Sequence, residues 1–138
     1  MKRMLAACVL AFLPLLAAFG QETQQATLNK KNLVVKEWNT NAKGTSKTLD
    51  HLTTYSADGK KIEEIEYDTD GHQKWRKRFE WGENGRLARE LLYDQRNRLV
   101  NYKKFDYNEF GKKHIQYTYD PKGRLLSTKL FEYISEDA

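Results

Sequence analysis

Cationic and aromatic side chains recur together in the middle of the chain, and they are the residues best suited to bind a ligand. Aromatic rings stack on sugars, and ammonium or guanidinium groups form charge-assisted hydrogen bonds with acidic partners. The pattern therefore predicts a binding stripe. The same pattern also fits a purely structural interpretation, in which rings fill a sheet and lysine stems lie over them. The predicted stripe consists of Trp75, Lys77, Phe79, Arg89, Tyr93, Lys103, Phe105 and Tyr117.

Residues that could act in catalysis or hold a metal do not form a recognisable set. His51, His72 and His114 are far apart in sequence, and the strand pattern below predicts His51 and His114 on opposite faces. No serine has a matching histidine and aspartate arrangement, and no phosphate-binding glycine loop is present. A carboxylate pair of the glycosidase type stays open as an alternative. We predict no enzyme activity, no cofactor and no metal.

These residues lie in a repeat marked by an aromatic residue that is followed four positions later by Gly or Asn. The steps between successive markers alternate between twelve and fourteen positions, so the full period is their sum, twenty-six positions, and contains two unequal strands. The segments between turns are rich in aromatic and β-branched residues, which favours strands. Further strands are predicted near residues 33–39 and 46–55. The markers are Tyr55, Tyr67, Trp81, Tyr93, Tyr107 and Tyr119, with a final Tyr133.

The repeat predicts an all-β fold, an antiparallel meander of about eight strands in one open, curved sheet. A small up-and-down barrel is the alternative. Each turn is predicted to be a three-residue hairpin loop in which Gly or Asn takes positive φ. Aspartates at the first turn position, such as Asp94 and Asp120, should cap the turn. Arg98 and Arg124 should face these aspartates across the loop.

The segment Tyr117–Leu125, with the sequence YTYDPKGRL, resembles the YD repeats of bacterial Rhs and teneurin-type proteins. The resemblance extends more loosely over residues 55–133. Such repeats form spiralling antiparallel sheets, sometimes shells around a cargo, and carbohydrate binding has been proposed for them. The resemblance implies the fold type. Cargo enclosure does not transfer, because this chain of 138 residues is too short to form a shell.

The predicted register pairs each marker with the residue six positions later, as Trp81 with Leu87. Because the marker spacings are even, all odd-numbered residues should share one face of the sheet. This register places Glu64 opposite Arg76. It also places mid-strand lysines such as Lys77 among the aromatic residues, which argues against a dry, closed barrel.

The N-terminus carries the pattern of a secretory signal, with two basic residues followed by an apolar run at residues 4–19. We predict a signal peptide at residues 1–20, cleaved before Gln21. A retained membrane anchor is one alternative. Lipidation of Cys8 is another, but the apolar run continues past this cysteine. The protein is therefore expected to be secreted or periplasmic.

The remainder is predicted to be a polar linker at residues 21–31 and one β-hairpin repeat domain at residues 32–135, with no transmembrane span. Loss of the two basic residues of the signal lowers the net charge from +5 to +3, which is too small to indicate a nucleic-acid partner. The mature chain has no cysteine and so no disulfide. The expected partners are a glycan, an envelope protein or a second copy of the chain.

Overall fold

The structure is a computed structural model that describes residues 28–135. The predicted signal peptide, Cys8 and most of the predicted linker lie outside these residues. In the described part every regular element is a β-strand, and no helix there has the length and hydropathy needed to cross a membrane. The strands are β1 (Val34–Thr40), β2 (Lys47–Tyr55), β3 (Lys61–Tyr67), β4 (Gln73–Trp81), β5 (Leu87–Tyr93), β6 (Leu99–Tyr107), β7 (Lys113–Tyr119) and β8 (Leu125–Leu130).

The eight strands form one antiparallel sheet in chain order, and each strand contacts only its neighbours in sequence. The predicted open meander is therefore confirmed. The barrel alternative is wrong, because β1 and β8 lie at opposite edges and do not pair. The mid-strand charges explain this outcome, since closure would bury them without water.

The sheet is a single layer without a conventional core. Among the described residues, Phe105 is the one hydrophobic residue that is buried, with 8% of its surface exposed. Both faces meet solvent, so each hairpin is stabilised by the hairpins beside it. This nearest-neighbour arrangement is typical of repeat proteins.

The turns agree with their sequence prediction. Asn97 has φ 58° and Gly123 has φ 84°, and the other predicted turn glycines also have positive φ. In the last turn the Asp120 N–H donates to the Arg124 carbonyl at 2.9 Å, and the Gly123 N–H donates to the Asp120 carbonyl at 3.0 Å. These bonds define the three-residue loop that the sequence predicts.

A β-bulge follows every turn from β2 to β8, and the sequence analysis did not predict it. Trp81 faces Leu87 as predicted, but Glu80 faces Arg89, so that Ala88 is an extra residue in β5. Equivalent shifts occur in the five other hairpins of this series. Such a β-bulge adds one residue to one strand and so reverses which residues point to which face.

The prediction that all odd-numbered residues share one face is therefore wrong. Arg76 faces Ile65, while Glu64 faces Lys77. Beyond the bulge in each strand, odd-numbered residues of β2, β4, β6 and β8 share a face with even-numbered residues of β3, β5 and β7. We call this the ladder face. The other face, the tyrosine face, carries Tyr67, Tyr93, Tyr102, Tyr117 and Tyr119.

Candidate binding face

The register divides the predicted binding stripe between the two faces. The ladder face holds Trp75, Lys77, Phe79, Lys103 and Phe105, whereas the tyrosine face holds Arg89, Tyr93 and Tyr117. The bulge after each turn causes the division, because Arg89 and Tyr93 lie in β5, where the numbering parity is reversed. A continuous stripe of all these residues therefore does not exist.

The ladder face instead carries a row of polar residues across the middle of the sheet, which we call the charge ladder. From β2 to β8 its members recur at half the repeat period, with cationic or histidine side chains on even strands and Glu or Gln on odd strands. Half of the repeat period is an odd number of positions. Residues that share this face therefore alternate between odd and even numbers from one strand to the next. This alternation was the sequence signal that could have revealed the bulges. The ladder members are Glu37, His51, Glu64, Lys77, Glu90, Lys103, Gln116 and Lys129, where Glu37 joins as the partner of His51.

The contacts within the ladder leave Lys77 without an acidic partner. Glu64 lies opposite Lys77, but its carboxylate contacts His51 Nε2 at 3.1 Å and Lys61 Nζ at 3.3 Å. Burial raises the pKa of Glu64, but the hydrogen bond from His51 and the charge of Lys61 outweigh burial and hold the pKa below its usual value. Within the described residues no carboxylate forms an ion pair with the Lys77 ammonium. Lys103, one repeat later, differs because Glu90 lies 3.4 Å away.

Trp75 forms an aromatic surface beside this ammonium. Lys77 Nζ lies 4.8 Å from the centre of the Trp75 ring system, and the His51 ring meets Trp75 edge-on at 5.5 Å. Leu92 lies opposite Lys77 on the next strand. A shallow depression of about 340 Å³ lies here, and it is lined by Trp75, Lys77, Leu92, Tyr93, Asp94 and Val100.

The sequence prediction missed Leu92 and Val100 as part of this depression. Both residues are even-numbered, so the predicted register assigned them to the face opposite Trp75. The bulges bring Leu92 to the ladder face and thereby complete the apolar wall of the depression. Of the predicted residues, Trp75 and Lys77 line the depression from the ladder face, and Tyr93 also borders it although it belongs to the tyrosine face.

The other predicted residues on the ladder face are occupied by contacts within the sheet. Lys61 Nζ lies 4.8 Å from the centre of the Phe79 ring, and Lys113 Nζ lies 4.1 Å from the centre of the Phe105 ring. Lys61 is in addition paired with Glu64, and Phe105 is buried, so neither ring lies exposed beside an unpaired cation. Phe79 and Phe105 therefore fit the structural interpretation of the aromatic residues.

The predicted residues on the tyrosine face are also engaged. Arg89 Nε donates to Glu80 at 2.6 Å, and the Tyr117 hydroxyl donates to Asp106 at 2.9 Å. The Arg76 guanidinium lies 4.6 Å from the centre of the Tyr93 ring. Neighbouring strands thus supply partners for the polar groups of Arg89 and Tyr117, and the Tyr93 ring contacts Arg76.

One cluster in the described residues has the geometry to attract a cation. Ligand atoms of Asp68, Asp70 and His72 lie within 4.8 Å of one another in an exposed turn. Asp68 Oδ1, however, accepts the backbone N–H groups of Asp70 at 3.0 Å and His72 at 2.8 Å. The N–H of His72 contributes most to lowering the pKa of Asp68, so the turn itself accounts for the ionised carboxylate.

Comparison with known proteins adds no functional assignment. No family model and no curated protein matches the chain. Among solved structures, the chain is similar to a protein of unknown function from Bacteroides fragilis, at 12% sequence identity. The match covers 72% of this chain and 93% of that one, with a TM-score of 0.25, which is too low to establish a shared fold.

Proposed function

We propose that this protein is a non-enzymatic binding module of the bacterial envelope or exterior, and that its ligand is an acidic glycan held on the ladder face. The observation that carries the proposal is the Lys77 ammonium, which has no acidic partner among the described residues and lies over Trp75 at 4.8 Å. An unpaired cation beside a half-buried indole and an apolar wall suits a ring that bears a carboxylate.

The surroundings of Lys77 support a ligand rather than a further side chain as its partner. Glu64 is already held by His51 and Lys61, so it does not neutralise Lys77. The depression is shallow and open, which suits one segment of a chain-like polymer that continues beyond the site. The resemblance of residues 117–125 to YD repeats is consistent with this idea, since carbohydrate binding has been proposed for that family.

The test compares binding of acidic polysaccharides with binding of their methyl-esterified forms, which keep the sugar rings and lose the charge. Isothermal titration with polygalacturonate and alginate oligomers should show binding of the acidic forms only. Lys77→Met and Trp75→Ala should each weaken binding at least tenfold, because each removes one half of the site.

Lys104→Met is the matched control for this experiment. Lys104 Nζ also lies over an aromatic ring, that of Tyr119 at 5.6 Å, but on the tyrosine face. Its loss should leave binding unchanged. Absence of binding to every acidic polymer, or equal weakening by Lys104→Met, would overturn the proposed function.

The proposed location rests on the N-terminal sequence and has its own test. Expressed in a Gram-negative host, the protein should be recovered from the periplasmic or extracellular fraction with Gln21 at or near its N-terminus. Mass spectrometry of the recovered protein checks this outcome. A diacylglyceryl group on Cys8 would instead identify a lipoprotein.

A further inference from the structure

The two edge strands of the sheet carry backbone groups that can pair with a further strand. Within residues 28–135, β1 and β8 each pair on one side only, so a row of backbone N–H and C=O groups along each outer side has no strand partner there. Such edges are templates for pairing with another strand. Exposed apolar side chains are concentrated near both edges. They are Val34 and Trp38 on β1, and Leu125, Leu126 and Leu130 on β8.

The charge ladder indicates which strand fits beside β8. Cations or histidine occupy the ladder positions of even strands, and glutamate or glutamine occupies those of odd strands. The ladder therefore ends with Lys129 on β8, and at the other edge it ends with Glu37 on β1. Placing β1 beside β8 continues the alternation, because Glu37 then becomes the neighbour of Lys129.

We infer that copies of this chain associate head to tail, with β1 of one copy added to β8 of the next. In a meander an odd and an even strand run in opposite directions, so this addition preserves antiparallel pairing without rotating the second copy. The proposed partner strands also bring apolar residues together on the tyrosine face, where Leu126 and Leu130 lie alongside Val34 and Trp38. This inference goes beyond the proposed glycan site and does not depend on it.

Symmetric pairings are disfavoured by the same charges. Two β8 strands side by side would bring Lys129 near the second copy's Lys129, and two β1 strands would bring Glu37 near Glu37. Like charges across neighbouring strands destabilise a sheet. Head-to-tail contacts use two different surfaces and form a ring only where the rotation between copies closes. For this open sheet the expected assembly is a linear chain of copies that lengthens with concentration.

Charge reversal with sedimentation velocity tests the arrangement, using protein purified after export over a range of concentrations. The unmodified protein should show a mass that rises with concentration. Lys129→Glu and Glu37→Lys should each lower the association constant roughly tenfold, because each creates a like-charge contact at the junction. Mixing these two variants should restore association, since each edge then meets an opposite charge.

The control is Lys122→Glu, which makes the same charge change in the exposed turn before β8 and should not alter association. A protein that stays monomeric at all concentrations would overturn the inference. So would a dimer that Glu37→Lys leaves intact, because that result identifies a symmetric β8 contact. Trp75→Ala should leave association unchanged, so failure of the glycan site and failure of the edge contact are distinguishable.

Discussion

Different side chains stabilise the turns at the two ends of the sheet. At one end, which we call the aspartate end, the turns begin with Asp68, Asp94 and Asp120, and each carboxylate accepts backbone N–H groups two and four residues later. Arg98 and Arg124 contact Asp94 and Asp120 at 2.8 and 2.6 Å, as the sequence predicts. Every one of these contacts lies within a single hairpin.

At the other end, which we call the capped end, three aromatic side chains add hydrogen bonds to the first residue of the neighbouring strand. Trp81 Nε1 donates to the Lys61 carbonyl at 2.8 Å, and the Tyr107 hydroxyl donates to the Leu87 carbonyl at 2.7 Å. Tyr133 makes the equivalent bond to Lys113 at 2.7 Å. Each acceptor is the first residue of a bulged strand, where the regular ladder of backbone bonds is interrupted.

The aspartate caps therefore shape individual turns, whereas the aromatic donors join neighbouring turns. The division is not complete, because Gln73 donates to the Asp94 carbonyl at 2.8 Å and links two turns at the aspartate end, while Asn108 caps its own turn at the other end. Changes to the aspartate caps should act locally. Changes to the aromatic donors should reduce cooperativity between repeats, because repeat stability depends on nearest-neighbour contacts.

The largest expected effect is at the aspartate end. Gly123→Val forces a β-branched residue to φ 84° and should lower the free energy of unfolding by about 1–2 kcal/mol. Denaturant unfolding measures the change. Lys122→Val, one residue earlier and without positive φ, is the control and should cost clearly less. Equal losses for the two variants would contradict the local turn geometry.

At the capped end, Tyr107→Phe removes the donor to the Leu87 carbonyl and should cost about 0.5–1.5 kcal/mol. The unfolding transition should also broaden if this bond couples hairpins. Tyr119→Phe is the matched control, because the Tyr119 hydroxyl makes no hydrogen bond within the described residues. An unfolding transition of Tyr107→Phe that matches that of the unmodified protein would show that this bond does not couple the hairpins.

Acid should loosen the aspartate end before the capped end. The pKa of Asp94 and that of Asp120 lie below the ordinary value, chiefly because the N–H groups of Arg98 and Arg124 bond the carboxylates. A depressed folded-state pKa gives stability that is complete above the unfolded value near 3.8 and is lost as the pH falls through the folded value. Hydrogen exchange between pH 5 and 2 should therefore show earlier loss of protection at the aspartate turns. Simultaneous loss at both ends would contradict this.

The smallest expected effect is Asn97→Gly. Glycine accepts the positive φ of 58° without steric cost, but the change removes the acceptor for Gln73 Nε2 at 2.9 Å. These effects oppose each other, so the free energy of unfolding should change by less than about 0.5 kcal/mol. A thermal melt resolves this, with Gln73→Ala as the companion variant that removes the same bond from the other side.

The turns and strands were predictable because their signals are local. Positive φ at Asn97 and Gly123 follows from residue type, and the strands near residues 33–39 and 46–55 follow from composition and spacing. The order of the strands follows as well, since short loops permit only neighbouring antiparallel pairs.

No residue type assigns the faces of the sheet, and the half-period spacing of the charge ladder is the one sequence signal that relates to them. The bulges occur at residue pairs as different as Gln73–Lys74, Leu87–Ala88 and Leu99–Val100, so no residue type marks them. A bulge depends on how two strands pair, and one extra residue reverses the side on which every later side chain points. Residue types alone place the turns of the chain. The pairing of strands determined that Lys77 and Trp75 meet Leu92, and that Arg89 and Tyr117 lie on the opposite face.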